Sequence, residues 1–314
     1  RVYFNICIMK FAIIAPETQT KKWKVEFEKQ APEKKLLIGH ETTNPNEIEC
    51  VLVWGHPKGS LKKFKNLKLI FSMGAGVDHI LNDETIPKHI PISRIVDPQM
   101  AFSMTNYILM AVLNYQRCWY DFQDAQSRNH WAQFEYDEKN LNVGVLGIGH
   151  LGLDAANSFY RLGFQVYGYS NSSKKTIFPS FYGNQLKEFL EKINVLVCTV
   201  PLTPKTKGML SYELFCKLIH PTYLVNVSRG GVHIEKDIIR AIDEGKLTGA
   251  FLDVFEKEPL PNDSPLWQHP KIKITPHIAS LTYAEESIRQ ALENFKRVQS
   301  GGNPLNEVRR GNMY

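Results

Sequence analysis

The sequence contains no long apolar segment, no Cys-x-x-Cys pair and no low-complexity run. Its N-terminal apolar patch, Phe4 to Met9, is too short to cross a bilayer and lacks the apolar length and cleavage site of a secretory signal. The cysteines are odd in number and scattered, which is typical of buried free thiols in a reducing compartment. We therefore expect a cytoplasmic protein with no membrane partner. The five cysteines are Cys7, Cys50, Cys118, Cys198 and Cys216.

The charge balance also excludes one class of partner. Lys and Arg exceed Asp and Glu by 38 to 32, a formal net charge of +6, and the excess forms no long basic block. A nucleic-acid-binding face would need clustered Lys and Arg, so we expect no nucleic-acid partner. A modest excess suits an anionic substrate and cofactor instead. At 314 residues, with 43% hydrophobic and 22% charged residues, the chain is long enough for two globular domains.

Strand and helix patterns alternate through the whole chain. Such alternation predicts βαβ units and parallel sheets, here as two open α/β units in tandem with a ligand-binding crevice between them. The predicted strands are 9–15, 36–38, 50–54, 67–72, 91–96, 164–169, 195–200, 223–227, 249–254 and 272–275. The predicted helices include 20–31, 100 to about 127, 234–244 and 283–298.

The predicted helix from Met100 to about Ser127 and the segment after it carry many large apolar side chains. They are too many for an exposed linker, so we expect most of them in the core and some in the interface of a homodimer. These side chains are Tyr115, Trp119, Tyr120, Phe122, Trp131 and Phe134.

The strongest motif is a Gly-x-Gly-x-x-Gly turn that follows an apolar run and opens a helix. Gly147 allows the tight turn, Gly149 lets the backbone approach a pyrophosphate, and Gly152 lets the helix pack against the strand. Free N–H groups at the helix start then bind the anion. A bare glycine turn is the alternative, but the strand before and the helix after favour a dinucleotide site. The loop residues are Gly147, Ile148, Gly149, His150, Leu151 and Gly152.

The end of the next predicted strand indicates which dinucleotide binds. An NAD site usually has an Asp or Glu there for the ribose 2′-hydroxyl, but this chain has Ser170, followed by Asn171, Ser172, Ser173, Lys174 and Lys175. These donors and cations suit a 2′-phosphate. We therefore predict a preference for NADP(H), with NAD(H) possible and a solvated polar loop as the alternative.

Three charged residues follow predicted strands of the second half, namely Arg229, Glu258 and His277. Each alone could be a surface or structural residue, but together they suit reduction of a 2-ketoacid. An arginine donates hydrogen bonds to the carboxylate and the carbonyl oxygen of the substrate and so polarises the carbonyl. A histidine delivers the proton, and a neighbouring protein carboxylate orients that histidine. Hydride comes from the cofactor, so no metal and no protein nucleophile is needed.

On these and neighbouring motifs the chain resembles the D-2-hydroxyacid dehydrogenase family. The motifs are Asn226 to Gly230, Leu252 to Phe255, Glu258 to Leu260 and Thr275 to Ala279, and they occur in the family's order. Within the family the chain most resembles the bacterial glyoxylate/hydroxypyruvate reductase A group. It does so through Gly74-Ala75-Gly76-Val77-Asp78, Ser264 to Pro270 and a short tail.

The resemblance implies two Rossmann/flavodoxin-like, doubly wound parallel-sheet domains with the active site in the cleft between them. The substrate domain would comprise residues 1–99 plus 283–314, and the dinucleotide-binding domain residues 100–282. Arg229, Glu258 and His277 would be catalytic, and the substrate would contact Trp54, Ala75, Gly76 and Arg229. Beyond the 147–152 loop, the cofactor would contact Met104, Ser170, Asn171, Ser173, Lys174, Val200, Pro201, Leu202, Thr206, Val227, Ser228, Asp253 and Ala279.

The predicted function is NADPH-dependent reduction of small 2-ketoacids, glyoxylate to glycolate and hydroxypyruvate to D-glycerate. Two alternatives stay open at this point. One is a reductase of bulkier 2-ketoacids such as phenylpyruvate, because loop shape selects the side chain. The other is a dinucleotide-sensing, corepressor-like protein without catalysis, which would not need the Arg229, Glu258 and His277 set.

Overall fold

The computed structural model describes residues 10–39, 44–133, 141–280, 282–308 and 310, which form two α/β units. The first unit comprises the described residues up to Asp97 and those from Thr282 onward, and the second runs from Pro98 to Leu281. Each unit has one sheet of parallel strands. The predicted fold class of two parallel α/β domains is therefore confirmed.

The strands are short, as is usual in parallel sheets with helices on their faces. Those of the first unit are β1 (Lys10–Ile14), β2 (Lys35–Ile38), β3 (Ile48–Val53), β4 (Leu69–Ser72) and β5 (Ile92–Arg94). Those of the second unit are β6 (Asn142–Leu146), β7 (Gln165–Ser170), β8 (Ser180–Tyr182), β9 (Val195–Cys198), β10 (Thr222–Asn226), β11 (Leu247–Leu252) and β12 (Ile272–Ile274).

The helices alternate with these strands. In chain order they are α1 (Glu17–Gln30), α2 (Asp78–Leu81), α3 (Pro98–Gln116), α4 (Trp119–Ser127), α5 (His150–Arg161), α6 (Leu186–Leu190), α7 (Tyr212–Phe215), α8 (Glu235–Asp243) and α9 (Ala284–Gln299). Among the described ranges, no helix is long and apolar enough to span a membrane.

The first unit has the strand order β2-β1-β3-β4-β5, which is the flavodoxin-like doubly wound order. All four residues of β4 are buried, because a parallel strand is covered on both faces. On one face, the ring of Phe11 in β1 lies 5.0 Å from that of Phe27 in α1 and 4.9 Å from that of Phe295 in α9. Helix α9, which follows the second unit in the sequence, therefore belongs to the core of the first unit.

The second unit has the strand order β8-β7-β6-β9-β10-β11-β12. Counted within the unit, this is 3-2-1-4-5-6-7, the Rossmann order extended by one strand. Helices α3 and α5 cover one face through a cluster that includes Ile108, Val112 and Phe159. The opposite face carries a cluster that includes Phe215 and Ile238. The strand order reverses between β6 and β9, and ligands bind such sheets at the carboxyl ends near that reversal.

The predicted helix from Met100 to about Ser127 is wrong as a single element. It breaks into α3 and α4, and Cys118 between them has a left-handed backbone with a φ of 50°. The turn is closed by a hydrogen bond from the N–H of Cys118 to the carbonyl of Tyr115. The sequence has neither Gly nor Pro at this point, so no common helix breaker marks it.

The expectation that the large aromatic side chains near this turn are mostly core is also partly wrong. Trp131 is 90% exposed and Trp119 49% exposed. Tyr115, by contrast, stacks on buried Tyr223 with ring centroids 4.0 Å apart. Phe134 lies outside the described residues.

The cysteines differ in exposure as well. Cys50 and Cys198 are buried, as expected, but Cys118 is half-buried and Cys216 is exposed. All four are free thiols. Cys7 lies outside the described residues, so the expectation of uniformly buried thiols is wrong for two of the four described ones.

Candidate active site

The residues that the sequence singles out in the second unit lie at the carboxyl ends of its strands. Gly147 follows β6, Ser170 ends β7, and Val200 comes two residues after β9. Arg229 follows β10, and His277 follows β12. Because the strands are parallel, these ends share one edge of the sheet.

The glycine loop between β6 and α5 has the geometry that its motif predicts. Gly147 has a φ of +106°, a backbone conformation that residues with a Cβ atom rarely adopt. A Cβ atom on Gly152 would lie 2.1 Å from the carbonyl oxygen of Gly147 and 2.5 Å from Oγ1 of Thr199. A Cβ atom on Gly149 would meet nothing within 4 Å. Two glycines are thus required by the fold, whereas the third leaves open space over the backbone.

The same loop presents backbone donors at the start of a 12-residue helix. Gly149 is the N-cap of α5 and has no side chain to bond the first turn. The N–H groups of His150 and Leu151 form no hydrogen bond to another described residue. Such N–H groups together with the helix dipole bind phosphate groups. Donors and open space together fit the pyrophosphate of a dinucleotide.

The polar segment after β7 contains no Asp or Glu and carries hydroxyl, amide and ammonium groups instead. Ser170 bonds the carbonyl of Ser172 through its own hydroxyl at 2.8 Å, which shapes the turn. Asn171 and Ser173 are exposed, and so are Lys174 and Lys175, neither of which forms an ion pair with another described residue. These four side chains are thus exposed to solvent, and their predicted contact with a cofactor phosphate stays a prediction.

The loop after β9 lies against the glycine loop. A Cβ atom on Gly147 would be 2.8 Å from the backbone nitrogen of Val200, so the two loops are in contact. Thr206 donates its hydroxyl hydrogen to the carbonyl of Pro201 at 2.5 Å, which orders the turn that contains Leu202. A hydrophobic cluster of the second unit contains four further residues predicted to contact the cofactor, Met104, Ile148, Val227 and Ala279.

Glu258 and His277 form a hydrogen-bonded pair. Oε2 of Glu258 lies 2.7 Å from Nδ1 of His277, and the two side chains are 36% and 30% exposed. Burial raises the pKa of the Glu258 carboxyl, but the hydrogen bond and charge of His277, the N–H of Phe255 and the charge of Arg229 outweigh it. The net pKa of Glu258 is therefore below its usual value, so the group is a carboxylate at neutral pH.

Asp253 holds the backbone on which His277 sits. Its fully buried carboxylate accepts hydrogen bonds from the N–H of Ile278 and Ala279, both at 2.8 Å, and from the hydroxyl of Thr275 at 2.6 Å. The N–H of His277 bonds the carbonyl of Asp253 at 2.8 Å. His277 has a left-handed backbone, with φ at 55°, which is unfavourable for a residue with a Cβ atom. The hydrogen bonds to Asp253 fix this conformation; the predicted contact between Asp253 and the cofactor stays a prediction.

Arg229 stands in a loop that packs directly on the loop of Glu258. A Cβ atom on Gly230 would lie 1.8 Å from the carbonyl oxygen of Phe255, so only glycine fits there. Nη1 of Arg229 donates a hydrogen bond to the carbonyl of Ser228 at 2.7 Å. Buried Ser228 is in turn bonded to Asn226. Arg229 is therefore near enough to Glu258 for its charge to lower the pKa of that carboxyl.

In the first unit the structure brings Trp54 against the glycine turn after β4. A Cβ atom on Gly74 would lie 2.0 Å from the Trp54 ring, so the ring occupies the space of a side chain. The hydroxyl of Ser72 bonds the carbonyls of Gly74 and Gly76, both at 2.9 Å. The N–H groups of Ala75 and Gly76 form no hydrogen bond to another described residue. This turn can therefore donate to an anion.

Sequence reasoning assigned no role to two residues that support the site, buried His233 and half-buried Thr275. His233 follows Arg229 by four residues and bonds Asn226, and Thr275 bonds Asp253. No spacing rule marks either of them, because each acts through a tertiary contact. Among the described residues, no group of three or more His, Cys, Asp or Glu side chains is arranged to hold a metal ion.

The Rossmann strand order, the glycine loop and the donor-rich segment after β7 define a dinucleotide-binding α/β protein. A family model described as D-isomer specific 2-hydroxyacid dehydrogenase, NAD binding domain, matches residues 109–279. A glyoxylate/hydroxypyruvate reductase A of Photorhabdus laumondii is 39% identical over 261 residues, which cover 81% of this chain and 83% of the relative. The chain therefore belongs to the D-isomer specific 2-hydroxyacid dehydrogenase family, and it is an NAD(P)-dependent oxidoreductase.

Solved structures agree with this assignment. A D-isomer specific 2-hydroxyacid dehydrogenase of Xanthobacter autotrophicus, in complex with NADPH and MES, is 34% identical with a TM-score of 0.89, covering 97% of this chain and 99% of that one. An NADPH-dependent glyoxylate/hydroxypyruvate reductase of Sinorhizobium meliloti, in complex with NADP and sulfate, is 28% identical with a TM-score of 0.90 and the same coverage. The resemblance stated from the motifs is thus confirmed.

Proposed function

We propose that the chain reduces small 2-ketoacids with NADPH, converting glyoxylate to glycolate and hydroxypyruvate to D-glycerate. The observation that carries the proposal is the Glu258–His277 pair beside Arg229, at the sheet edge that also carries the glycine loop. A protein that only senses a dinucleotide has no need of these three side chains. The similarity to reductases of the same two ketoacids supports the choice of substrate.

The cofactor proposal is NADP(H), with NAD(H) as the weaker alternative. The N–H groups of His150 and Leu151 would hold the pyrophosphate over Gly149, where the backbone is uncovered. Ser173 and Lys174 would hold the 2′-phosphate, because residues 170–180 contain no Asp or Glu that would repel it. NADP-containing structures of relatives support this choice. When bound, the cofactor supplies the hydride.

The protein's own residues would supply the rest of the chemistry. The guanidinium of Arg229 would bind the ketoacid and polarise its carbonyl as negative charge develops on the oxygen. His277 would donate the proton from Nε2, the ring nitrogen that is not bonded to Glu258. The Glu258 carboxylate would stabilise the imidazolium form and fix the ring's orientation.

The substrate carboxylate is assigned to the turn of the first unit. Its proposed donors are the N–H groups of Ala75 and Gly76, whose neighbouring carbonyls are already held by Ser72. Trp54 packs on Gly74 and would shape the space available to the substrate side chain.

We further propose a homodimer in the cytoplasm. Five large apolar side chains on α3 and α4 or just after them are at least 36% exposed, namely Phe102, Met110, Leu113, Trp119 and Trp131. Exposed apolar groups of this density are typical of subunit interfaces. Sedimentation equilibrium at micromolar concentration should give twice the chain mass of 36.0 kDa; a monomer would contradict the dimer. The free thiols agree with a reducing compartment.

Two variants test the assignment of roles. His277→Ala should lower kcat by about 100-fold or more, because general acid catalysis typically contributes that much, and should leave NADPH binding unchanged. Arg229→Ala should raise KM for the ketoacid and lower kcat together. NADPH binding, measured by fluorescence titration, is the control for folding. Near wild-type kcat in His277→Ala would show that the proton donor is misassigned.

A further inference from the structure

A buried histidine lies directly behind the loop of Arg229. His233 is 2% exposed and Asn226, the last residue of β10, is fully buried. Nδ1 of His233 lies 2.8 Å from Nδ2 of Asn226. The short turn Gly230–Val232 separates His233 from Arg229, and the N–H of His233 bonds the carbonyl of Gly230. The histidine is therefore part of the framework of this loop.

The hydrogen-bond network fixes which atom carries the proton. Oδ1 of Asn226 accepts from the N–H of Ser228 at 3.0 Å and from the Ser228 hydroxyl at 2.7 Å. The amide oxygen therefore faces Ser228, and the amide nitrogen, which can only donate, faces His233. Nδ1 of His233 must accept that bond. The imidazole is then neutral, with its hydrogen on Nε2.

Ser228 connects Asn226 to Arg229 through hydrogen bonds. The carbonyl of Ser228 accepts the hydrogen bond from Nη1 of Arg229 at 2.7 Å. The N–H and hydroxyl of the same residue are fixed by Asn226. A chain of hydrogen bonds thus runs from His233 through Asn226 and Ser228 to the guanidinium. Contact of Gly230 with the carbonyl of Phe255 closes the loop on the other side.

The charged and titratable groups around His233 come from three elements. On α8, Oε1 of Glu235 lies 4.0 Å from Nε2, too far for a hydrogen bond. In the loop after β11, Glu256 exchanges hydrogen bonds with Glu235 through each residue's N–H, both at 2.9 Å. At the end of β9, Sγ of Cys198 lies 3.5 Å from the Ser228 hydroxyl. Burial raises the pKa of Cys198 to about 11, so this thiol is neutral.

We infer that His233 is a positioning residue for Arg229, which it holds in its ketoacid-binding geometry by accepting a hydrogen bond from Asn226 at Nδ1. The inference rests on the proposed role of Arg229 in binding the substrate. Without an acceptor at the place of Nδ1, nothing holds the Asn226 amide in this orientation. If the amide turns over, its NH₂ group meets the N–H of Ser228 in place of the oxygen. The bond from that N–H is then lost, the Ser228 hydroxyl must accept instead of donate, and the support of Arg229 is weakened.

The test compares two replacements of similar size. In His233→Asn the side-chain oxygen takes the place of Nδ1, accepts from Asn226 and does not titrate. In His233→Leu no acceptor remains. We expect His233→Leu to raise KM for the ketoacid about 10-fold at neutral pH, and His233→Asn to stay within about 2-fold of wild type, since a lost bond to a neutral donor is worth roughly a factor of ten. NADPH affinity should not change, and exposed His220→Leu serves as the control.

Equal KM values for His233→Leu and His233→Asn would overturn the inference. If His233→Leu fails to fold, nitrogen NMR of the imidazole rings decides alone.

Two further measurements separate this inference from the proposed function. If the wild type turns over no ketoacid, or Arg229→Ala leaves KM unchanged, the proposed function has failed and the inference falls with it. Nitrogen NMR of the imidazole rings, with the His233 signal identified by its loss in His233→Asn, reports the proton position without any substrate. A neutral ring protonated at Nε2 supports the inference, and a proton at Nδ1 at neutral pH contradicts it.

Discussion

Substitution by alanine should have different effects at two glycines of the nucleotide loop, lowering stability at one and cofactor affinity at the other. A methyl group at residue 152 would lie 2.1 Å from the carbonyl oxygen of Gly147 and 2.5 Å from Oγ1 of Thr199, distances that force the loop to move. A methyl group at residue 149 would meet nothing within 4 Å. Gly152→Ala is therefore expected to damage the fold of the loop, and Gly149→Ala the binding of the cofactor.

The magnitudes follow from packing and helix propensity. Overpacking costs about 1–3 kcal/mol, and contact with a backbone oxygen places Gly152→Ala at the upper end. Alanine within a helix recovers about 1 kcal/mol relative to glycine, which leaves about 2 kcal/mol of net destabilisation. That corresponds to a Tm lower by roughly 4–8 °C. Gly149→Ala should change Tm by less than about 2 °C, because only the N-cap preference changes.

Cofactor binding should separate the two variants further. In Gly149→Ala the added methyl group occupies the space through which the pyrophosphate would approach the backbone. We expect a Kd for NADPH at least about 10-fold higher, equivalent to about 1.4 kcal/mol. Differential scanning calorimetry without cofactor gives Tm, and fluorescence titration gives Kd. An unchanged Kd in Gly149→Ala would refute the placement of the pyrophosphate, and an unchanged Tm in Gly152→Ala would refute the packing argument.

Three more substitutions test other parts of the account. Glu258→Gln keeps an acceptor for His277 but removes the negative charge, which the lowered pKa of Glu258 maintains at neutral pH in the wild type. We expect kcat for ketoacid reduction to fall about 10-fold, equivalent to about 1.4 kcal/mol. An unchanged kcat would count against the pairing of Glu258 with His277. Replacing Lys174 and Lys175 by Ser should raise KM for NADPH about 10-fold and leave KM for NADH unchanged, since only NADPH has the extra phosphate. An equal rise in KM for both cofactors would exclude a 2′-phosphate site at these lysines. Cys118→Gly should raise Tm by about 1–3 °C, because glycine adopts the left-handed backbone found there, with φ at 50°, without strain. Cys118→Ala should give no such gain. A lower Tm for the Gly variant than for the Ala variant would contradict the strain.

Much of the second unit could be predicted because its signals are local. The apolar run of β6, the three glycines and the helical spacing of α5 occupy one continuous segment, and the structure has them as predicted. Strand β9 is apolar throughout and β10 is apolar in its middle three residues, because both faces of these strands are covered. The shared position of Arg229 and His277 could be predicted because parallel strands bring their carboxyl ends to the same edge of a sheet.

The features that could not be predicted depend on tertiary contacts. The break at Cys118 has no Gly or Pro to mark it, and the exposure of Trp131 depends on which surfaces are near it. The bonds of Asp253 to the backbone after His277 join residues more than 20 positions apart. The contact between His233 and Asn226 could not be predicted from the sequence either, because a single histidine forms no recognisable spacing pattern.

The most direct test of the central claim is the initial rate of NADPH oxidation by the purified chain with four ketoacids in parallel. Glyoxylate and hydroxypyruvate should be reduced fast, pyruvate and phenylpyruvate slowly, and NADH should replace NADPH poorly. Fast turnover of phenylpyruvate alone would contradict the proposed substrate class and leave the assignment of Arg229 and His277 in place. No turnover of any of the four would contradict the proposed reductase itself.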